Sequence, residues 1–217
     1  MAAKPDRKTA LRVLGTLEET YPDAHCALNY SNPLELLVAT ILSAQCTDVR
    51  VNQVTEGLFR RYPDAAAYAG ADLSALEEEI RSTGFFRNKA RNLVACGAAL
   101  LERHGGEIPR TLEALTALPG VGRKTANVVL GNAFGLAEGL VVDTHVKRIA
   151  GRLGWTRHSD PERIERDLCA LFPREKWTQA SHVLIFHGRQ ICKAPTPLCT
   201  LCPVLSDCPR IGVTRSR

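Results

Sequence analysis

The apolar residues of this chain recur with the period of an α-helix, and many of the recurrent segments open on a residue that caps helices. Asn32 precedes Pro33, and Asp160 precedes Pro161, so each pair places a proline at the first helical position. The longest segment that could instead form a β-strand is a short apolar run at 140–142, which is too brief to define a sheet. The pattern therefore predicts an all-α chain of roughly ten or eleven short helices.

The same signals predict where the helices lie. Continuous helices are expected over 6–20, 33–44, 64–69, 86–103, 123–134 and 175–191, and further ones should open near residues 47, 72, 111, 143 and 160. The helix that Asp72 caps is expected to end near Gly84. At 217 residues the chain forms one large domain or two small ones, and it can bury a core without disulfides.

Composition narrows the class of protein. Apolar residues make up 45% and charged residues 24%, which is typical of a globular chain and argues against disorder. No apolar segment lies in the first ten residues and no run of about 18 apolar residues occurs, so we expect neither a secretory leader nor a membrane span. The net charge of +5 leans basic, which matters for function only if the excess is localised.

The positive charge is indeed localised. Between Gly120 and Trp155 five basic residues accompany two acidic ones, and from Arg189 to Arg217 five accompany one. These two segments are therefore the parts of the chain expected to contact a phosphate backbone.

The eight cysteines fall into two groups. Four are scattered singly through apolar stretches, at positions 26, 46, 96 and 169. The other four lie close together, at Cys192, Cys199, Cys202 and Cys208. In a reducing compartment clustered cysteines more often bind metal than form disulfides. Four thiolates suit either an iron–sulfur cluster or zinc, and the spacing alone does not separate the two.

A glycine-rich turn at 118–124, Leu-Pro-Gly-Val-Gly-Arg-Lys, joins two helical segments. Gly120 and Gly122 permit a tight turn with positive φ, and such a turn exposes consecutive N–H groups. The next helix adds the positive end of its dipole, so the hairpin is a candidate seat for a phosphate. A hairpin that only reverses the chain fits the same residues.

Lys124 and Asp143 are candidates for chemistry. Lys124 lies in the first turn of the helix after the hairpin, where the dipole disfavours a cation and so favours the nucleophilic neutral amine. A lysine that contacts phosphate or solvent is the alternative. Asp143 opens the next helix, as a plain cap or as a catalytic carboxylate, and the two roles are compatible. The intervening chain is long enough to bring Asp143 back to Lys124.

These residues resemble a known family. The segment 118–130, followed by Val142-Asp143-Thr144-His145, is similar to the helix-hairpin-helix DNA glycosylases, and within them to endonuclease III. Leu-Ser-Ala-Gln-Cys-Thr-Asp at 42–48 and the C-terminal cysteines match as well, so the resemblance extends from about residue 7 to 209.

The resemblance implies a helix-hairpin-helix DNA glycosylase fold of two domains that share a DNA groove. Residues 26–136 would form a six-helix barrel domain that ends in the hairpin. Residues 1–25 with 137–217 would form a discontinuous domain that carries a 4Fe-4S cluster on Cys192, Cys199, Cys202 and Cys208.

The resemblance also implies a bifunctional DNA glycosylase and AP lyase of base excision repair. It would remove oxidised pyrimidines from double-stranded DNA and cut 3′ to the abasic site by β-elimination. Lys124 would form the Schiff base, and Asp143 would assist it. The expected partner is duplex DNA with a damaged base or an abasic site, and we expect a monomer in the cytoplasm, associated with the nucleoid and not with a membrane.

Further DNA contacts follow from the resemblance alone. Gln45 would fill the space that the flipped base leaves, and Phe85 would be a wedge beside the lesion. A polar residue at a helix end and a buried aromatic at a helix start are the alternatives for these two. Phosphate or other DNA contacts are implied for Gly120, Val121, Gly122, Arg123, His145 and Lys193, although His145 also fits an ordinary surface histidine.

Two other functions compete with this one. A monofunctional mismatch glycosylase, such as an adenine-removing relative, would share the fold and the cluster but typically lacks the hairpin lysine. A hairpin DNA-binding module or an iron–sulfur redox protein would need no enzyme chemistry, and it would leave the pair of Lys124 and Asp143 without a purpose.

Overall fold

The structure is a computed structural model that describes residues 6–217, and helices account for most of that part of the chain. No strand occurs among the described residues, so the all-α prediction is confirmed. The α-helices are α1 Arg7–Thr20, α2 Pro33–Leu42, α3 Asp48–Arg61, α4 Ala65–Ala69, α5 Leu73–Glu79, α6 Phe86–His104, α7 Leu112–Thr116, α8 Arg123–Ala133, α9 Thr144–Arg152, α10 Pro161–Leu171 and α11 Trp177–Gln190. None of these helices is both long and apolar enough to cross a membrane.

Most helices begin at a side chain that accepts a hydrogen bond from the first turn. The residues that do so are Asp6, Asn32, Thr47, Asp64, Asp72, Thr111, Asp143 and Asp160. Each such cap contributes about 1 kcal/mol to helix stability. Three helices lack a side-chain cap, namely α6, α8 and α11, which follow Phe85, Gly122 and Lys176.

One predicted helix ends about a turn earlier than expected, whereas α2 ends only two residues early. The segment that Asp72 caps stops at Glu79, and a short 3₁₀ turn, Arg81–Thr83, takes its place before Gly84. Thr83 explains the change, because its N–H and its hydroxyl both donate to the carbonyl of Ile80, at 2.9 and 2.8 Å. These bonds close an i to i+3 turn and divert the acceptor that a continuing α-helix would use.

The chain divides into two compact units. The continuous unit is Cys26–Leu136, and it contains α2 to α8. The discontinuous unit is Met1–His25 with Ala137–Arg217, described from residue 6, and it contains α1 and α9 to α11.

The continuous unit has its core around α2, α6 and α8. Every residue of α2 from Leu36 to Leu42 is buried, as expected of a central helix. Helices α4 and α6 approach each other backbone to backbone at Gly97, where an added Cβ would lie 2.7 Å from the Ala65 carbonyl oxygen. Gly97 is therefore required by space and not by its dihedral angles.

In the discontinuous unit α1 and α9 pack against α11, and α10 packs against α9 and α1. Its core contains Leu14, Leu17, Ile149, Leu168 and Leu184, none more than 1% exposed. The N-terminal helix therefore completes the core of the C-terminal part of the chain, which explains why the unit is discontinuous.

Candidate functional site

The hairpin between α7 and α8 is a tight turn fixed at one glycine. The N–H of Val121 donates to the Leu118 carbonyl at 3.2 Å, and both side chains are buried in the continuous unit. Gly120 has φ of +77°, and a Cβ there would lie 2.8 Å from the Cβ of Asn92. Both its conformation and its surroundings therefore demand glycine. The sequence-predicted turn residues are thus assembled as one element.

Helix α8 starts directly from this turn without a side-chain cap. Gly122 is its N-cap, with an extended backbone at φ of −89°, and it is exposed. Arg123 and Lys124 are the first two helical residues, and both are exposed. The amine of Lys124 is therefore accessible from solvent at the positive end of a helix dipole, where anions are favoured.

Gln45 and Phe85 share an unusual backbone. They have φ of +54° and +50°, in the left-handed region that non-glycine residues seldom adopt. Gln45 lies in the turn after α2, and Phe85 is the N-cap residue of α6. Both are exposed, and 62% of Phe85 is accessible. The alternative of a buried aromatic at this helix start is thus wrong for Phe85.

Asp143 is the N-cap of α9 in the discontinuous unit. Its Oδ1 accepts a hydrogen bond of 2.8 Å from the N–H of Val146, which fixes the carboxylate against the helix start. His145 follows in the first turn and is half-buried, with its Nδ1 3.1 Å from Nη2 of Arg148. Because a guanidinium only donates, Nδ1 is the acceptor in this contact.

Two arginines of α9 have a role that the sequence did not reveal. The guanidinium of Arg148 donates to the carbonyls of Cys192 and Gly188, at 3.0 and 2.9 Å. Arg152 donates to the Lys193 carbonyl at 2.9 Å and approaches the sulfur of Cys192 to 3.2 Å. Both arginines belong to the basic segment 120–155, which the sequence predicts to contact a phosphate backbone. Their spacing of four residues places them on one helix face, which a reader of the sequence could have noticed. Their acceptors lie some forty residues away, and no sequence pattern identifies them.

The four clustered cysteines line one cavity of the discontinuous unit. Cys192, Cys199, Cys202 and Cys208 share it with apolar side chains, among them Ile149, Leu153, Ile191, Leu198, Val204 and Val213. Within residues 6–217 no group of three or more cysteine, histidine or acidic side chains is arranged around a single ion. The thiols thus surround a common apolar space.

His187 connects this cavity to α1. It is 2% exposed, its Nδ1 lies 3.0 Å from the hydroxyl of Tyr21, and its Nε2 lies 3.7 Å from the sulfur of Cys202. Burial lowers the pKa of His187 to about 4, so the imidazole is neutral at pH 7. Burial also raises the pKa of the thiols of Cys202 and Cys208. The sequence carries no local signal for this contact between His187 and a clustered cysteine.

Lys193 lies in the loop between the first two clustered cysteines. Its side chain is exposed, while its carbonyl accepts the hydrogen bond from Arg152. The loop is therefore tied to α9 through its backbone, which leaves the ammonium available to a phosphate.

Comparison with known proteins gives a consistent result. A family model described as "HhH-GPD superfamily base excision DNA repair protein" matches residues 38–174. Endonuclease III of Synechocystis sp. is 53% identical over 209 residues, which cover 96% of this chain and 94% of that protein. Endonuclease III of Escherichia coli is 40% identical over 198 residues, covering 91% and 93%.

Solved structures agree. A trapped endonuclease III–DNA covalent intermediate superimposes with a TM-score of 0.90 at 45% identity, covering 94% of this chain and 96% of that one. A thermostable thymine-DNA glycosylase shares the fold, with a TM-score of 0.84 at 21% identity over 94% and 96%. The chain therefore belongs to the endonuclease III family, within the HhH-GPD superfamily of base excision DNA repair proteins.

The hairpin generates a prediction about Gly120. Replacing Gly120 with Ala should lower the free energy of unfolding by about 1–3 kcal/mol, because the new Cβ meets Asn92 in a left-handed conformation. The affinity for duplex DNA, measured by fluorescence anisotropy, should fall with it because the turn is displaced.

Gly122→Ala is the matched control for this prediction. The φ of Gly122 is negative and no atom lies within 4 Å of the added Cβ. The free energy of unfolding, measured in urea, should therefore change by less than about 1 kcal/mol. Equal losses of stability in the two variants would contradict the assignment of Gly120 as the fixed point of the turn.

Proposed function

We propose that this chain is a bifunctional DNA glycosylase and AP lyase that removes oxidised pyrimidines from duplex DNA. The observation that carries the proposal is Lys124, an exposed amine in the first turn of a helix entered through a glycine turn. Membership of the endonuclease III family supports the class of reaction. A relative trapped as a covalent intermediate with DNA supports a covalent mechanism. A monofunctional glycosylase would have no use for this amine.

Lys124 is the proposed nucleophile. Its nitrogen bonds to C1′ of the deoxyribose as the glycosidic bond breaks, and the base leaves with the electron pair and gains a proton. Loss of the proton from the nitrogen and opening of the sugar ring give a Schiff base. The imine acidifies C2′, so removal of a C2′ proton expels the 3′ phosphate and cuts the strand.

Asp143 is the proposed assisting carboxylate. Its cap hydrogen bond uses Oδ1 and so orients the group, and we assign Oδ2 to the reaction. A carboxylate there accepts a proton from the incoming amine and stabilises the positive charge that develops on the sugar.

The DNA contacts are proposed from exposure and strain. Phe85 presents a large apolar ring to solvent from a left-handed backbone, an arrangement that costs free energy in the protein alone. Insertion between stacked bases gives that ring an apolar environment. Gln45, exposed from a similar backbone, is assigned to the space that the flipped base leaves. The backbone of 120–123 and the side chains of His145 and Lys193 are assigned to phosphates and neighbouring DNA atoms.

We further propose that Cys192, Cys199, Cys202 and Cys208 hold a 4Fe-4S cluster. The donor set fits, because four thiols line one apolar cavity and Arg152 supplies an N–H near the sulfur of Cys192. When bound, the cluster would cross-link the C-terminal segment to the rest of its unit. No step of the reaction on the sugar is assigned to it.

In this proposal the protein acts as a monomer on chromosomal DNA.

The nucleophile assignment predicts a borohydride-dependent complex. Reduction in the presence of a thymine-glycol duplex should convert the imine into a stable amine and trap protein on DNA, and Lys124→Ala should abolish trapping. Lys8→Ala is the matched control, since Lys8 is also the exposed second residue of a helix, α1. Trapping that persists without Lys124 would show that another amine is the nucleophile.

The two roles of Asp143 predict different effects for two substitutions. Asp143→Asn keeps an oxygen acceptor for the Val146 N–H, so stability should hold, while base excision should slow about 100-fold or more. Asp143→Ala should lose activity and also about 1 kcal/mol of stability. Single-turnover rates and thermal unfolding measure the two effects. An Asn variant of normal rate would exclude the catalytic role.

The cluster proposal predicts the metal content of the protein. Purified without oxygen, the chain should contain about four iron and four sulfide per molecule and absorb visible light. Cys202→Ser should lower both contents, while Cys96→Ala, a change at a buried cysteine of the other unit, should not. Zinc without sulfide in the unmodified protein would reject the cluster.

A further inference from the structure

Lys89 is a lysine whose ammonium group is buried in the continuous unit. Only 4% of the residue is exposed, and burial lowers the pKa of its amine. Its Nζ donates to the carbonyl oxygens of Leu42 and Thr83, each at 2.8 Å. Burying an ammonium is costly even when it is hydrogen-bonded. Replacing Lys89 with an apolar residue would remove the donor of both carbonyls, so the ammonium is a specific link between them.

The two acceptors are the ends of two helical elements. Leu42 is the last residue of α2, and Thr83 is the last residue of the 3₁₀ turn before Gly84. Carbonyls at such ends lack helical donors and carry partial negative charge. One cation therefore joins two negative helix ends that are distant in the sequence.

Each of these ends leads directly into a strained residue. Gln45 follows Leu42 by three positions, Phe85 follows Thr83 by two, and both have a left-handed backbone. Such a conformation is disfavoured for a residue with a Cβ and persists only where neighbouring structure fixes it. The backbone N–H of Lys89 also donates to the carbonyl of Phe85, at 3.1 Å. Lys89 thus holds the Phe85 turn at two points and the Gln45 turn at one.

We propose that Lys89 is a positioning residue for base opening. Its ammonium fixes the separation of the Gln45 turn and the Phe85 turn, so that both side chains enter the duplex together. The inference rests on the proposed function, which gives the two side chains their targets in DNA. Lys89 acts through these turns, because its own buried ammonium is directed at backbone carbonyls and not at solvent.

Two substrates separate positioning from simple stability. Excision of an oxidised base from a duplex needs the base to be opened and its space filled. Cleavage of a pre-formed abasic site in single-stranded DNA needs the amine of Lys124 but has no base to displace and no opposite strand. Loss of positioning should therefore affect the first reaction much more than the second, whereas partial unfolding would lower both by the same factor.

The test compares Lys89→Met with Leu100→Ala under single-turnover conditions, at a temperature where circular dichroism shows both variants folded. Leu100 lies on the same helix, fully buried and about 16 Å further along, so its truncation weakens the core away from both turns. Lys89→Met should slow base excision about 10- to 100-fold and abasic-site cleavage less than about threefold. Leu100→Ala should leave the ratio of the two rates unchanged.

A second measurement asks whether Lys89 acts through Phe85. In a Phe85→Ala background, Lys89→Met should have much less effect on base excision than in the unmodified protein, because coupled residues are not additive. If the Met variant does not fold, Lys89→Gln, which keeps two neutral N–H donors, replaces it and should give a smaller loss of the same kind.

The outcomes distinguish the two proposals. Equal losses on both substrates, or a full additive effect on the Phe85→Ala background, overturn the positioning role of Lys89 while leaving the enzyme activity intact. An unmodified protein that is inactive on both substrates rejects the proposed function, and the role of Lys89 with it.

Discussion

The hydrogen-bonding needs of helix ends organise this protein. A helix satisfies its own backbone except at its ends, where N–H groups and carbonyls are left without helical partners. Eight of the described helices meet this need at the start with a side-chain cap, while α6, α8 and α11 begin without one. The starts of α6 and α8, at Phe85 and Gly122, carry residues assigned to DNA. At their C-terminal ends, α2 and the 3₁₀ turn leave the carbonyls of Leu42 and Thr83 without helical donors, and the buried ammonium of Lys89 donates to both.

In the discontinuous unit, side-chain donors satisfy backbone carbonyls of a segment that is mostly not helical. Its C-terminal segment has little regular helix, so its carbonyls need donors from elsewhere. Arg148 and Arg152 of α9 supply them, binding the backbone around Cys192 and Lys193. The cavity lined by four thiols is therefore supported by a helix whose N-cap is Asp143. The proposed cluster site and the proposed catalytic carboxylate thus depend on one helix, α9.

Much of the architecture was predictable because capping and periodicity act within four residues. The helix starts at Asn32, Asp143 and Asp160 were read from the sequence and are confirmed. The early end of α5 was missed because it depends on which carbonyl the Thr83 hydroxyl binds. The exposure of Phe85 was undecided, since an aromatic at a helix start fits either a core or a surface. The roles of Arg148 and Arg152 were missed because their acceptors lie about 40 residues away in the chain.

The sequence by itself determined the all-α class, the glycine hairpin, the position of Lys124 at a helix start and the grouping of four cysteines. Each of these is a property of neighbouring residues, so local chemistry suffices to read it. Only the tertiary structure decided that Lys89 is buried between two helix ends and that two arginines of α9 bind the cysteine loop. It also decided that the N-terminal helix completes the core of the C-terminal part. These arrangements depend on contacts across 40 or more residues, which no local pattern encodes.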